Sequence, residues 1–240
     1  MRSLWIFGAL LLALPVVNAQ SHALAKLGDD AVIVPGEPIV ETAKVTNTTN
    51  LSDGSKHTIT LLERKWRDSQ GRFREETAQV TEGERAVFNT ASILDPTKNI
   101  VITLNLDSKL AIVFHLPEHG PHAFRVLDIQ KEKPEKVKQN DQTKVENLEE
   151  RKIAGLDAVG TRVTQTKPSK TAGVDTTIVI VNERWVNPDS KILLASSLED
   201  PKGKKAMEVT KLDRTEPDAN LFQISSDFTV TDIPLRQVEK

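Results

Sequence analysis

From Asn99 to Leu116 the chain alternates residue by residue, and this constrains its fold more than any other feature. Ile100, Ile102, Leu104 and Leu106 fall on one parity, and Val101, Thr103, Asn105 and Asp107 on the other. After Ser108-Lys109, Leu110, Ile112, Phe114 and Leu116 alternate with Ala111, Val113 and His115. Successive side chains of a strand point to opposite sides, so a period of two reads as a β-hairpin with one apolar face. Such a face has to be covered by another sheet, by the curl of its own sheet or by a ligand. Ile100, Ile102, Leu104, Ile112 and Phe114 are therefore expected to line a concave apolar surface, suited to an acyl chain or other hydrophobic ligand. Packing as an ordinary core is the plainer account of the same pattern.

Strand signals continue on both sides. Ile39 to Thr48, His57 to Trp66 and Arg72 to Val80 are separated by turn-forming Leu51-Ser52-Asp53-Gly54-Ser55 and Asp68-Ser69-Gln70-Gly71. Further strands are read at Val145 to Ile153, Gly155 to Thr166, Thr176 to Val186, Lys191 to Glu199, Lys204 to Arg214 and Phe228 to Asp232. Pro117 to Lys144 breaks the series with three prolines and a charged stretch from Lys131, and is expected to be a flexible insertion at about 117–144. The mature chain shows no long amphipathic helix. These signals predict a mainly β fold: a single curled antiparallel sheet or incomplete β-barrel of about eleven strands with little helix.

The first residues predict export. Leu4 to Leu14 is an unbroken apolar run behind Arg2, Pro15 ends it, and Val17-Asn18-Ala19 offers a cleavage site. The run is shorter than the roughly 20 residues that span a bilayer as a helix. The expected organisation is a signal peptide at 1–19 and one β domain at 20–240, periplasmic or secreted, with no stable membrane anchor. The 240 residues contain no cysteine, which removes disulfides, thiolate catalysis and cysteine-held metal clusters. With 32 basic against 34 acidic residues the net charge is -2, so nucleic acid is not an expected partner.

Few residues suggest chemistry. His115, Glu118, His119 and His122 gather potential metal ligands, but their spacing matches no standard zinc motif and two prolines and a glycine interrupt them. Neither a nucleophile elbow nor a phosphate-binding glycine loop is present. Glu75-Glu76 and Glu149-Glu150 are adjacent, so on strands their carboxylates point to opposite faces and cannot converge on one bond. No catalytic residue, metal or cofactor is expected. Glu63-Arg64-Lys65-Trp66 and Glu183-Arg184-Trp185 each precede a turn, a faint echo between the two halves of the chain.

Five segments carry a resemblance: Trp66 to Glu76 (WRDSQGRFREE), Ile93 to Pro96 (ILDP), Ala154 to Arg162 (AGLDAVGTR), Glu183 to Trp185 (ERW) and Glu216 to Phe222 (EPDANLF). In this order they resemble uncharacterised exported bacterial β proteins and, more distantly, the periplasmic outer-membrane lipoprotein carriers (LolA-like). The carrier resemblance implies an incomplete barrel over an apolar cavity. It departs from this sequence in one respect, since carriers close that cavity with helices. The function expected is that of an exported, non-enzymatic β protein holding a lipid or acyl chain; the alternative is an envelope protein-interaction or sensing module.

Overall fold

The computed structural model describes residues 32–33, 36, 38–80, 86–117, 125–126, 140, 142–171 and 174–234. The leader, most of the 117–144 insertion, and Glu118, His119 and His122 lie outside the described residues. Twelve strands make one sheet: β2 (Ile39–Asn50), β3 (Lys56–Arg67), β4 (Phe73–Val80), β5 (Ala86–Asp95), β6 (Ile100–Asn105), β7 (Leu110–His115), β9 (Thr143–Ile153), β10 (Leu156–Thr171), β11 (Val174–Val186), β12 (Leu193–Asp200), β13 (Gly203–Asp213) and β14 (Thr229–Ile233). Two short segments, β1 (Val32–Ile33) and β8 (Arg125–Val126), pair in parallel apart from it. The helix among the described residues is a single 3-10 turn at Ala219–Phe222.

Across the sheet the order is β14-β7-β6-β5-β4-β3-β2-β13-β12-β11-β10-β9. Two meanders, β2 to β7 and β9 to β13, are joined where β13 pairs with β2. The sheet is open, with β14 and β9 at its edges. The mainly β, incompletely closed architecture is the one expected, with a mixed sheet rather than a purely antiparallel one: β14 returns from the C-terminal segment to run parallel to β7.

Side chains of Asn and Asp close most of the hairpins. Asp53, Asp68, Asp95, Asn105, Asn187 and Asp200 each accept a hydrogen bond from a backbone N–H two or three residues on. Several of these contacts reinforce a backbone turn bond, such as Gly71 N–H to the Asp68 carbonyl and Lys98 N–H to the Asp95 carbonyl. Between β9 and β10 the turn is instead Ala154-Gly155, with φ of 48° and 83°, the positive pair that tight two-residue hairpins require.

Register defines two faces. Directly paired residues share a face, so Leu104 with Ala111, Ile102 with Val113 and Ile100 with His115 lie on one side. Val101 with Phe114 and Thr103 with Ile112 lie on the other. Followed through the pairs, the first face carries Ile93, Arg74 and Trp66 in one half, and Lys44, Glu208, Ala195 and Trp185 in the other. It is the inner face, because the sheet curls towards it: Arg151 of β9 reaches across to Glu208 of β13 at 3.2 Å and stacks on the Trp185 ring at 4.1 Å.

Candidate functional site

The five apolar residues expected to form one surface do not share a face. Ile100, Ile102 and Leu104 are on the inner face, and Ile112 and Phe114 are on the outer one. Residues Leu106 to Lys109 form the four-residue loop between β6 and β7. A loop of even length sets even-numbered residues opposite odd-numbered ones, so the apolar parity of β6 continues into Ala111 and Val113 rather than Ile112 and Phe114. The two sets belong to separate clusters. Ile100, Ile102 and Leu104 pack with Ala91, Ile93, Val113 and Phe222, while Phe114 packs with Leu94, Val101 and Leu116, with Ile112 against them.

What covers the inner cluster is the C-terminal segment. Phe222, only 2% exposed, sits in that cluster with Leu221, Ile224 and Phe228 packed alongside. Polar contacts from the β3–β4 turn fasten it. Ser69 donates its N–H and its hydroxyl to the Glu216 carboxylate, at 3.1 and 3.0 Å. Arg74 donates to the Leu221 carbonyl at 3.0 Å, and the Arg72 guanidinium stacks 4.8 Å from the Phe222 ring centre. Asp68, 1% exposed, holds Arg72 in place through its backbone N–H and Nε. The segments Trp66 to Glu76 and Glu216 to Phe222, some 150 residues apart, thus form one unit.

The other half of the inner face is open. Ordered by direct pairing, one row of side chains runs Leu148, Gly160, Trp185, Ala195, Glu208, Lys44, and the next runs Arg162, Glu183, Ser197, Ala206, Thr46. Ala195 in the first row adjoins Ser197, Ala206 and Thr46 in the second, a run of small side chains with Trp185 and Arg162 on one side and Glu208 and Lys44 on the other. The result is a groove of about 350 Å³, within the range of small-molecule sites. Trp185 and Arg151 bound one side, and Lys44 and Lys204 the other. Arg151 is paired with Glu208, and Lys204 with Glu199 at 3.1 Å. Among the described residues Lys44 has no ion-pair partner. Arg162 donates to Glu183 at 2.7 Å, which also accepts from Ser197 at 3.2 Å, fixing the groove wall.

These residues escaped the sequence reading. No single strand looks unusual; the small side chains line up only once β13 is known to pair with β2. The Ala154 to Arg162 and Glu183 to Trp185 segments do meet, through Gly160 beneath Trp185 and Arg162 beside Glu183. Trp66 and Trp185, the two echoing tryptophans, lie on the same inner face, one in each half.

Acid–base and metal groupings are sparse. Glu75 pairs across to Lys65 on the outer face, and Glu76 bonds Arg74 on the inner face, so the adjacent carboxylates diverge as expected. His115 lies 2.8 Å from Asp232 on the neighbouring edge strand. Among the described residues no group of three or more His, Asp and Glu could hold a metal ion.

No family model and no curated protein matches the sequence. Solved structures do. The MucA/MucB complex of Pseudomonas aeruginosa is similar at 17% identity and a TM-score of 0.41, over 90% of this chain and 64% of that one. The chain thus spans under two thirds of the length of that relative. A LolA superfamily protein from Nitrosomonas europaea is similar at 10% identity and a TM-score of 0.29, over 85% and 96% of the two chains. The Mycobacterium tuberculosis lipoprotein LppX is similar at 10% identity and 0.33, over 85% and 98%.

Proposed function

We propose that this is a non-enzymatic β protein, acting outside the cytoplasm, that holds a lipid or acyl chain in the groove between β2 and β11. One observation carries the reading: a line of small residues, Ala195, Ser197, Ala206 and Thr46, sinks the centre of a curled sheet face that is otherwise lined by long side chains. Trp185, with the Arg151 guanidinium stacked on its ring, bounds the groove on one side. Lys44 and Lys204 stand at the opposite rim, where they complement an anionic head group. The ligand is assigned to this groove rather than to Ile100, Ile102 and Leu104, which Phe222 already occupies.

Ala206→Phe tests the reading by filling the groove floor. Native mass spectrometry of the exported protein is expected to show an adduct in the lipid mass range, and a fluorescent fatty acid is expected to bind. Both signals should fall at least tenfold in the variant, with its melting curve little changed. Bare protein together with an absence of fatty-acid binding would remove the proposal. Binding untouched by Ala206→Phe would place the ligand elsewhere.

A further inference from the structure

The groove between β2 and β11 has a clasp. Strands β9 and β13 are separated in the sheet by β12, β11 and β10. At about 4.8 Å per step they would stand about 19 Å apart on a flat sheet, too far for two side chains to meet. Arg151 of β9 nevertheless pairs with Glu208 of β13 at 3.2 Å. The ion pair is a chord drawn across the curl, from the Trp185 side of the groove to the Lys44 side. Its two ends are held differently. The Arg151 guanidinium also lies 4.1 Å from the centre of the Trp185 ring, a second hold that does not depend on the carboxylate. The Glu208 side chain is 56% exposed and that of Arg151 41%, and an ion pair so open to water is worth little. Exchanging its carboxylate for another therefore costs little. The groove lining carries Lys44, Arg151 and Lys204, with Glu208 as the acid among them. In the β13–β2 register Glu208 stands directly opposite Lys44, where Cβ atoms are about 5 Å apart. The Glu208 carboxylate thus marks a place where an anion meets cations from both sides of the groove.

On the footing that the groove holds a lipid, we infer that Arg151 selects the ligand's head group. A carboxylate or phosphate on a hydrocarbon chain replaces Glu208 on the guanidinium, and Glu208 turns out to water. The incoming anion then lies between Arg151 and the lysine rim, with its chain over Ala195, Ala206 and Thr46. Arg151 suits either head group, because its planar fork donates parallel N–H groups to carboxylate and phosphate alike. Glu208 is the stand-in of the empty groove: it neutralises Arg151 and keeps the curl drawn together. An alcohol of the same chain length offers nothing in exchange for that pair. The ligand class is an anionic amphiphile, and neutral ones are turned away.

Displacement of a neutral hydrophobic dye, phenylnaphthylamine, from the exported protein reads this selection. Dodecanoate and dodecyl phosphate are expected to compete about tenfold better than dodecanol, as one hydrogen bond to a charged group allows. Glu208→Gln should strengthen both anions about threefold and leave dodecanol alone. Arg151→Gln should remove most of the preference. In the Arg151→Gln background, adding Glu208→Gln should change nothing, because the two side chains act as one unit. If circular dichroism shows Arg151→Gln misfolded, Arg151→Lys keeps the charge without the fork and should still lose part of the preference. Three results would overturn the inference while leaving the groove as a lipid site or an anion site. Dodecanol equal to the anions, with binding lost in Ala206→Phe, keeps the lipid groove but removes head-group selection. Equal strengthening by Glu208→Gln with and without Arg151 makes the effect one of general charge. Acetate or inorganic phosphate competing as well as dodecanoate makes the site one for free anions. Failure of every chain to bind would remove the lipid reading itself.

Discussion

Gly160 carries only hydrogen where any other residue would place a carbon against Trp185. A Cβ there would lie 2.5 Å from Trp185 Nε1, 2.9 Å from its Cδ1 and 2.8 Å from Leu148 Cβ. Among the described residues the buried indole nitrogen has no hydrogen-bond partner, so packing and the Arg151 guanidinium stacked on it hold the ring. Gly160→Ala should therefore tilt the ring, cost about 1–3 kcal/mol by overpacking and shift the tryptophan emission. Urea denaturation followed by fluorescence measures both. On the outer face, the row Glu41, Lys65, Glu75 sets two carboxylates beside one ammonium, and Glu63 adds a third. Burial holds the Glu41 carboxyl above its ordinary value of 4.5, more than Lys65 at 3.9 Å lowers it. Burial also works against the charge on Lys65, but Glu63, Glu41 and Glu75 together push it up to about 12. For Glu41 the folded state keeps its proton to higher pH than the unfolded state. Stability attributable to this group is therefore present below 4.5 and lost as pH rises through the raised value. Glu41→Gln should raise the melting temperature at neutral pH, by about 2–4 °C per kcal/mol recovered, and flatten its fall above 4.5. Thermal melts across that range decide it; an unchanged slope would assign the pH dependence to other groups.

The C-terminal segment works as an element only because a turn far away receives it. Asp68 orders the turn, Ser69 takes Glu216, and Arg72 and Arg74 take Phe222 and Leu221. Deleting the Phe222 ring should uncover Ile102 and Leu104 and cost about 3–5 kcal/mol, seen as a lower denaturation midpoint and as new binding of a hydrophobic dye. No dye binding would mean that the neighbouring Leu221 and Phe228 collapse into the space. Most of the strands were legible in the sequence, but β5 (Ala86–Asp95) was not among those read. Alternation located the β6–β7 hairpin, and Asp and Gly residues located its fellow turns. The pairing of faces was not legible, because it turns on whether a loop has an even or an odd number of residues, and Leu106 continues the strand pattern while belonging to the loop. The segments that carry the resemblance were visible as words, but that Ser69 would hold Glu216 could not be read from either one.

At the scale of the whole molecule, the groove was hidden because it is a property of a seam. Lys44 and Thr46 come from the first meander, and Ala195, Ala206 and Glu208 from the second; they adjoin only where β2 accepts β13. The open curl could be argued from many short strands and few helices. The seam could not, since nothing local marks β2 as the partner of a strand so remote. At Thr210, whose hydroxyl bonds the Thr42 carbonyl, the partners are 168 positions apart. That distance has a consequence for how the protein is made. A chain emerging amino end first completes β2 through β7 while β13 and Phe222 are still unmade. For that interval β2 has an unpaired side, and the greasy patch over Ile93 and Ile102 is bare. During that interval the unpaired side of β2 and the apolar patch over Ile93 and Ile102 are open to misassembly, and a factor that shields β-edges and apolar patches is expected to suppress it.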